Sequence, residues 1–513
     1  MNFKKSTPEE CGISSKDVLD FIKTLDSYGL ATHGYIMARG DKIFAEGYYA
    51  PYTSESKHRM YSVSKSFIAL SVGLAIEDGL LTLDDRIVDF FPEYKIDRTD
   101  ENLCRATVRD HLSMRTSMLT EPDWWGKPDR AECYFKQKSR QIPGTNYSYD
   151  SAGSFLLAVI VEKLTGKPML EYLKDKCLRE LGFSEDAYCL LAPGGHSHAD
   201  SGVMCSCRDL LVFARLMLSG GKINGKRYVS EDFVRAATSK ITDNCRDGIP
   251  SPACTDKGYG YLIWKTPRDG FAFVGMADQY AICDPESDFI FIINSANHKS
   301  SDGSSRFLIM HEIYKSIIEK LGSPLENNES ALSSLRDYEK NLKLVHLSDG
   351  VDGNIGDKIN KVTYILDPNA MGIKDIRLEF CDNSGTLHFT NADGENSIDF
   401  GMGYNKQGRF PGKMRMSKTA SVYEKGAYAC VASASWCEKN KLRISVRITD
   451  TFLGDINMVF GFVENEVSVS FARHAQRILD DFDGFAIGKR LEDGLTKQNG
   501  SIKGTKNERK TSC

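Results

Sequence analysis

No run of eighteen or more apolar residues occurs in this 513-residue chain, so no transmembrane helix is expected. Basic charge is not in excess either: 66 lysines and arginines face 70 aspartates and glutamates, for a net charge of -4. Nucleic-acid binding calls for a basic stripe, and this near balance gives it no support. The opening stretch MNFKKSTPEECGISSKDVLDF has two lysines but no apolar core ahead of a cleavage site, so it does not read as a secretory signal. C-x-x-C pairs and H-E-x-x-H are absent. Cys205 and Cys207, with His196 and His198 nearby, form the one grouping that could hint at a metal, but their spacing matches no standard zinc site. The 14 cysteines are scattered, which favours reduced thiols in a cytosol. No metal and no cofactor is expected, and the location is read as cytoplasmic.

The chain is too long for one ordinary core and calls for more than one domain. Residues 34–48, GYIMARGDKIFAEGY, read as two strands joined across Arg39-Gly40-Asp41. SFIALSVGLAIEDGL is apolar on most sides, which predicts a buried helix that stops at Asp78-Gly79. A mostly helical stretch follows, then strands FAFVGM, QYAICDP and DFIFIINSAN, then an amphipathic helix over 305–321. Strands from both ends of this region can share one antiparallel sheet flanked by helices, an α/β or α+β domain over residues 1–322. The polar run at 323–345 reads as a linker. Residues 346–490 carry many short alternating runs split by Gly, Asn and Asp, which predicts an all-β barrel or sandwich. The tail at 491–513 has no hydrophobic period and is expected to be disordered.

At the mouth of the buried helix stands RMYSVSKSFIAL, residues 59–70, with Ser62 three residues before Lys65. That spacing puts both side chains on one helix face. A hydroxyl beside an amine is one route to an activated nucleophile. The plain alternative is a capping serine and a solvated lysine, and a four-letter pattern alone does not decide between them.

Further segments weigh in. YSVSKSF, LAIEDGLLTLDDRIVDFFPEY, TVRDHLSMRTSM, PGTNYSYDSAGSFLL and GVMCSCRDLLVFARLMLSGG follow one another over about three hundred residues. In that order they resemble the serine β-lactamase-related family of class C β-lactamases, D-alanyl-D-alanine carboxypeptidases, family VIII esterases and D-aminopeptidases. The resemblance implies a β-lactamase/transpeptidase-like domain in which Ser62 is the acyl-accepting nucleophile. It implies that Lys65 and Tyr149 serve as general base and acid. Tyr147 competes with Tyr149 for that place, and Ser151 stands where class C enzymes have asparagine. Ser64 and Ser66 are read as packing or capping.

In the third box, Phe273-Val274-Gly275 replaces K-T-G, and Ala277 and Asp278 replace glycines of the relatives. The N–H of Met276, after Gly275, is expected to join that of Ser62 as an oxyanion hole. With the box lysine gone, neutral acyl groups are expected and penicillins and cephalosporins disfavoured. If a cation does enter the pocket, Arg268 and Lys265 are the first suspects. Trp124 and Trp125 either wall an apolar pocket or plug the core. His196 either lines the pocket or sits on a loop surface, and His58 is read as structural.

The C-terminal strands resemble the lipocalin-like barrel of some D-aminopeptidases. The expected protein is a serine hydrolase acting on a small-molecule ester, amide or peptide, with no nucleic-acid or membrane partner and with a homo-oligomer left open. Two rivals remain: a silent relative used as a ligand sensor or scaffold, and a true β-lactamase or D,D-carboxypeptidase.

Overall fold

The computed structural model describes residues 1–491 apart from 2, 120, 121, 123, 125, 126, 245–256, 299–303, 349, 352–354, 412–427, 476–478 and 480. Of the tail expected to be disordered, everything past 491 lies outside the described residues.

The first half is built on strands β1 (Lys4–Lys5), β2 (Thr32–Arg39), β3 (Lys42–Tyr48), β4 (Trp264–Lys265), β5 (Phe271–Gly275), β6 (Gln279–Asp284) and β7 (Phe289–Ser295). They form one sheet in the order β1-β3-β2-β7-β6-β5-β4. All neighbours are antiparallel except β1 with β3. Side chains alternate faces along a strand, and here both faces are covered, so the strands read as continuous apolar runs. Ile36, Ala38, Phe273, Ala281, Ile290 and Ile292 share a core with the helical half of the domain. Tyr35, Met37, Val274, Tyr280, Phe291 and Ile293 pack on the opposite face.

On that opposite face lies α1 (Ser15–Ser27), capped by Ser14, whose side chain accepts from the Asp17 N–H. On the first face lies α2 (Ser64–Glu77), buried at every position from Ser64 to Ala75. A helix apolar all round can only sit inside a core. Against it packs α3 (Ser151–Thr165), which opens on an Asp150 cap bonded to the Gly153 N–H at 2.8 Å and closes at Gly166 with φ +68°. Helix α4 (Cys207–Leu218) starts from a reciprocal Ser206–Asp209 capping box. The helix after the last sheet strand, α5 (Ser304–Glu312), returns to the α1 face.

Residues 323–345, expected to be a linker, carry α6 (Glu329–Lys340). Leu335 is fully buried beside α1, the Tyr338 hydroxyl donates to Asp26 at 2.7 Å, and Arg336 donates to the Phe44 carbonyl at 2.9 Å. Leu332, Leu335 and Tyr338 recur at a spacing of three, too thin an apolar stripe to stand out among polar residues.

The second half contains strands β8 (Thr363–Leu366), β9 (Asp375–Cys381), β10 (Ser384–Asn391), β11 (Gly394–Met402), β12 (Lys406–Phe410), β13 (Tyr428–Glu438), β14 (Lys441–Thr449), β15 (Leu453–Val463), β16 (Glu466–Ala475) and β17 (Gly484–Arg490). Neighbouring strands pair in an antiparallel chain, and β11 meets β13 in parallel at Gly401–Ser433 and Met402–Ala434. That last pairing closes a nine-stranded barrel, with β12 extending β13. Closure removes exposed sheet edges. Leu387, Phe389, Phe400, Ile444, Val446 and Phe460 fill the interior. The barrel reaches the first domain through Val431, which packs with Ala31, Tyr52 and Leu344, and through Phe452, whose ring lies 5.2 Å from the Arg59 guanidinium. Among the described residues, no helix is long and apolar enough to cross a membrane.

One buried imidazole ties this packing to pH. His111 has its Nδ1 3.0 Å from the Thr107 carbonyl and its Nε2 3.0 Å from the Tyr134 hydroxyl. A carbonyl only accepts, so Nδ1–H donates and neutral Nε2 accepts from Tyr134. Burial lowers the pKa of His111 from 6.5 to about 4, against the smaller opposing pull of the Thr107 carbonyl and Asp110. Between those values the unfolded chain takes up a proton that the folded chain refuses, so stability falls as pH drops through that window. Urea denaturation at pH 7 and pH 4.5 tests this. Wild type is expected to lose about 2 kcal/mol more on acidification than His111→Gln, at 1.36 kcal/mol per pH unit over the part of the window crossed. Equal losses in the two proteins would refute the assignment.

Candidate active site

Ser62 lies in the tight helical turn Tyr61–Val63 that leads into α2. Tyr61, just before it, has φ +46°, uncommon for a bulky residue and stabilised only by its surroundings. Its ring lies 4.9 Å from the Arg59 guanidinium. Arg59 in turn donates to the Ser201 carbonyl at 2.9 Å. His58–Arg59 pair antiparallel with Met204 and Cys205, and the Met60 N–H donates to the Val203 carbonyl at 2.8 Å. This short pairing brings the 198–203 segment beside the serine.

Lys65 is 1% exposed. Its Nζ donates to Ser62 Oγ at 3.2 Å and to the Asp200 carbonyl at 2.8 Å, and lies 5.1 Å from the centre of the Tyr149 ring. Tyr149 is half-buried and stacks on Trp264 at 5.9 Å and 26°. Ser62, Lys65 and Tyr149 therefore meet, from the turn before α2, from α2 itself and from the stretch before α3. Tyr147 packs on Tyr259 at 5.3 Å and meets the same Trp264 edge-on at 6.5 Å. The neighbouring serines are engaged elsewhere: Ser64 Oγ accepts from the Val203 N–H and Ser66 Oγ donates to the Leu262 carbonyl.

Positive charge gathers behind Lys65. Arg130 lies 3.7 Å from the Asp200 carboxylate and His198 3.6 Å from it, all three buried. Burial first, then the charges of Arg130, Arg59 and Lys65, hold His198 well below the usual imidazole range. The short spacing of Ser62 and Lys65 is visible in sequence; Arg59, Arg130, Asp200 and Trp264 carry no local pattern and are gathered only by the fold.

The end of β5 closes the site. A Cβ on Gly275 would sit 2.4 Å from the Met60 carbonyl oxygen and 3.3 Å from Val63, so the strand runs in backbone contact with the turn that holds Ser62. Met276, 45% exposed, follows at once. Ala277 and Asp278 turn the chain back with φ +60° and +65°, the region glycine favours. Asp278 compensates by accepting from Asn297 Nδ2 at 2.9 Å and from the Ser305 and Tyr280 hydroxyls.

Other predicted residues are placed as follows. Ser151 is the half-buried first residue of α3, two positions past Tyr149. Trp124 is 2% exposed, 4.7 Å from the Arg130 guanidinium and edge-on to Phe155, which makes it a core plug; Trp125 lies outside the described residues. His196 pairs with Glu162 at 2.9 Å, eleven residues along α3 from Ser151. At 1.5 Å per residue that is about 16 Å from the tyrosine end. Phe273 is fully buried against Phe213 and Phe271, beneath the sheet surface and not in a pocket wall. His58 packs against the stacked pair of Tyr52 and His33.

A sheet covered by helices on both faces, with a serine opening the buried helix and a lysine one turn on, is the β-lactamase/transpeptidase-like fold. Residues 21–314 match the Beta-lactamase family model, and the chain belongs to that family. It is 26% identical over 283 residues to the 6-aminohexanoate-dimer hydrolase of Paenarthrobacter ureafaciens, spanning 51% of this chain and 71% of that one. It is 25% identical over 140 residues to the D-aminopeptidase of Brucella anthropi, 25% of this chain and 26% of that one. A solved structure from Bacillus anthracis that bears a provisional 6-aminohexanoate-dimer hydrolase name superposes with a TM-score of 0.50 at 17% identity, over 63% of this chain and 89% of that chain.

The close approach of β5 to the Ser62 turn is open to direct test. Gly275→Ala is expected to destabilise the protein by about 1–3 kcal/mol, the usual cost of forcing an extra carbon into a packed core. A urea midpoint equal to wild type would show that the two segments do not touch.

Proposed function

We propose that this protein is a serine hydrolase that cleaves an ester, amide or peptide bond through an acyl-enzyme on Ser62. The observation that carries this reading is the position of Lys65 Nζ, in reach of Ser62 Oγ and packed against Tyr149. A serine hydroxyl is a poor nucleophile until a base takes its proton. A buried amine is disposed to that task, because burial disfavours its charged form. In this reading Ser62 Oγ attacks the carbonyl carbon while its proton passes to Lys65, with Tyr149 sharing in the transfer. The Ser62 and Met276 N–H groups hold the negative oxygen, and the free end of a helix favours that charge further. Tyr149 or Lys65 then protonates the leaving group, and a water activated the same way releases the acyl group.

Two relatives named for a 6-aminohexanoate dimer and for D-amino peptides support an amide as the scissile bond. All eleven cysteines among the described residues are unpaired, which agrees with a reducing, cytosolic setting. The silent-relative reading is favoured only by the altered third box.

Labelling with a fluorophosphonate, read by intact mass, decides between them. Ser62→Ala is expected to abolish labelling and Ser64→Ala to retain it; labelling that survives in Ser62→Ala would refute the proposal. With a p-nitrophenyl ester, Lys65→Ala and Tyr149→Phe are each expected to lower kcat by roughly a hundredfold, within the range for acid–base groups. Residues that move one proton together lose their effect together, so the double variant should be little worse than the poorer single one. A near-normal Tyr149→Phe beside an inactive Tyr147→Phe would reassign the tyrosine.

A further inference from the structure

The hairpin between β14 and β15 reaches the nucleophile turn from the barrel side. Its tip, Asp450-Thr451-Phe452, is braced: the Asp450 carboxylate accepts from the Ala429 N–H of β13 at 3.0 Å and from the Thr451 N–H at 2.7 Å. The Phe452 ring, 1% exposed, is seated in the barrel core. The barrel in turn is bonded to the chain that leads out of the first domain. Asn405 Nδ2 donates to the Leu344 carbonyl at 2.8 Å, and the Leu347 N–H donates to Ser433 Oγ at 3.0 Å. The Leu344 N–H donates to the Ala50 carbonyl at 3.1 Å. These bonds fix the hairpin tip relative to the first domain.

Arg59 is what the tip meets. Its buried guanidinium lies over the Phe452 ring at 5.2 Å and over the Tyr61 ring at 4.9 Å. A cation removed from water is drawn to ring faces more strongly than an exposed one. Arg59 also donates from Nε to the Ser201 carbonyl at 2.9 Å and from Nη2 to Ser201 Oγ at 3.3 Å. Tyr61 carries the strain of the turn, with φ +46° directly before Ser62. Such a conformation persists only where its neighbours over-determine it. Arg59 is one of them, and the His298 ring, edge-on at 6.5 Å, is another. Burial raises the Tyr61 pKa, and Arg59 and the Leu453 backbone pull it back. The barrel hairpin therefore borders both Arg59 and Tyr61.

We propose that Phe452 is a positioning residue for Ser62: its ring on Arg59 holds Tyr61, and with it the nucleophile turn, in the conformation that aims Ser62 Oγ at Lys65. Being buried, Phe452 touches no substrate and acts only through the turn. A displacement of about 1 Å in a reacting group costs on the order of a hundredfold in rate. A loosened turn is therefore felt in turnover more than in substrate binding. The C-terminal barrel serves as a buttress that completes the catalytic turn from behind. The consequence for rate rests on the hydrolase reading; the holding of the turn does not.

Two readouts on the full-length protein test this: hydrogen exchange of the 59–65 segment by mass spectrometry, and the rate of fluorophosphonate labelling. Phe452→Leu keeps apolar bulk without a ring face. It is expected to speed exchange of that segment by at least about tenfold, as local opening becomes easier. It is expected to slow labelling by about ten- to a hundredfold, and to lower kcat on a p-nitrophenyl ester with KM within about twofold. Phe452→Tyr, which restores the face, should return labelling to within about twofold of wild type. Phe460→Leu, the same truncation elsewhere in the barrel interior, controls for lost stability and should leave both readouts within about twofold. Wild-type labelling rates in Phe452→Leu would overturn the proposal, as would equal losses in Phe460→Leu. Should Phe452→Leu fail to fold, unchanged exchange and labelling in Phe452→Met overturn it instead. Absence of labelling in wild type sinks the hydrolase reading alone, and the exchange comparison then decides the role of Phe452: unchanged exchange refutes it.

Discussion

Water solvates an amine strongly, and Lys65, almost wholly removed from solvent, needs other acceptors in its place. The molecule supplies them from two directions. One is the Ser62 hydroxyl, brought by the helix turn itself; the other is the Asp200 carbonyl, brought from far along the chain. Much of the local structure follows from that second acceptor. The His58–Arg59 pairing with Met204 and Cys205, the Arg59 bond to Ser201 and the Arg130–Asp200 contact all hold the 198–203 segment where its carbonyl can meet the lysine. The positive φ of Tyr61 is kept in the same clamp.

The site sits where three parts of the domain converge. The turn before helix α2 supplies Ser62, α2 itself supplies Lys65, the residues before α3 supply Tyr149, and the end of β5 supplies the turn at Met276. Gly275 permits that convergence, because any larger residue would strike the Met60 carbonyl. Beyond it the turn is strained, since Ala277 and Asp278 occupy backbone conformations better suited to glycine. The hydrogen bonds gathered by Asp278 offset that strain and link the turn to α5. A substitution that reads in sequence as a lost glycine is thus part of a polar network. The barrel takes part as well, since Phe452 covers the guanidinium that supports Tyr61.

Regular patterns were legible in the sequence because they repeat locally. The all-round apolar run of α2, the alternation of the barrel strands and the three-residue spacing of Ser62 and Lys65 each depend on neighbours a few positions apart. Tyr149 was reached through resemblance, from the segment PGTNYSYDSAG, and the packing of its ring against Lys65 brings it into the same cluster. Helix α6 was missed because its apolar stripe is three residues wide and surrounded by charge. Phe273 and Trp124 illustrate the opposite failure: an aromatic residue advertises burial, but not whether it is buried in a core or in a pocket wall.

By itself, then, the sequence determined the two-part architecture, the central helix and the serine–lysine pair at its start, since periodicity and short spacing are written in consecutive residues. Only the tertiary structure decided which distant groups attend that pair. Asp200 lies 135 residues from Lys65. Such contacts are made by packing and closure of the chain, and they leave no local period by which to read them. The same holds for the fate of charge. Arg268 and Lys265 look alike in sequence, and it is the carboxylates and carbonyls folded beside them that commit both.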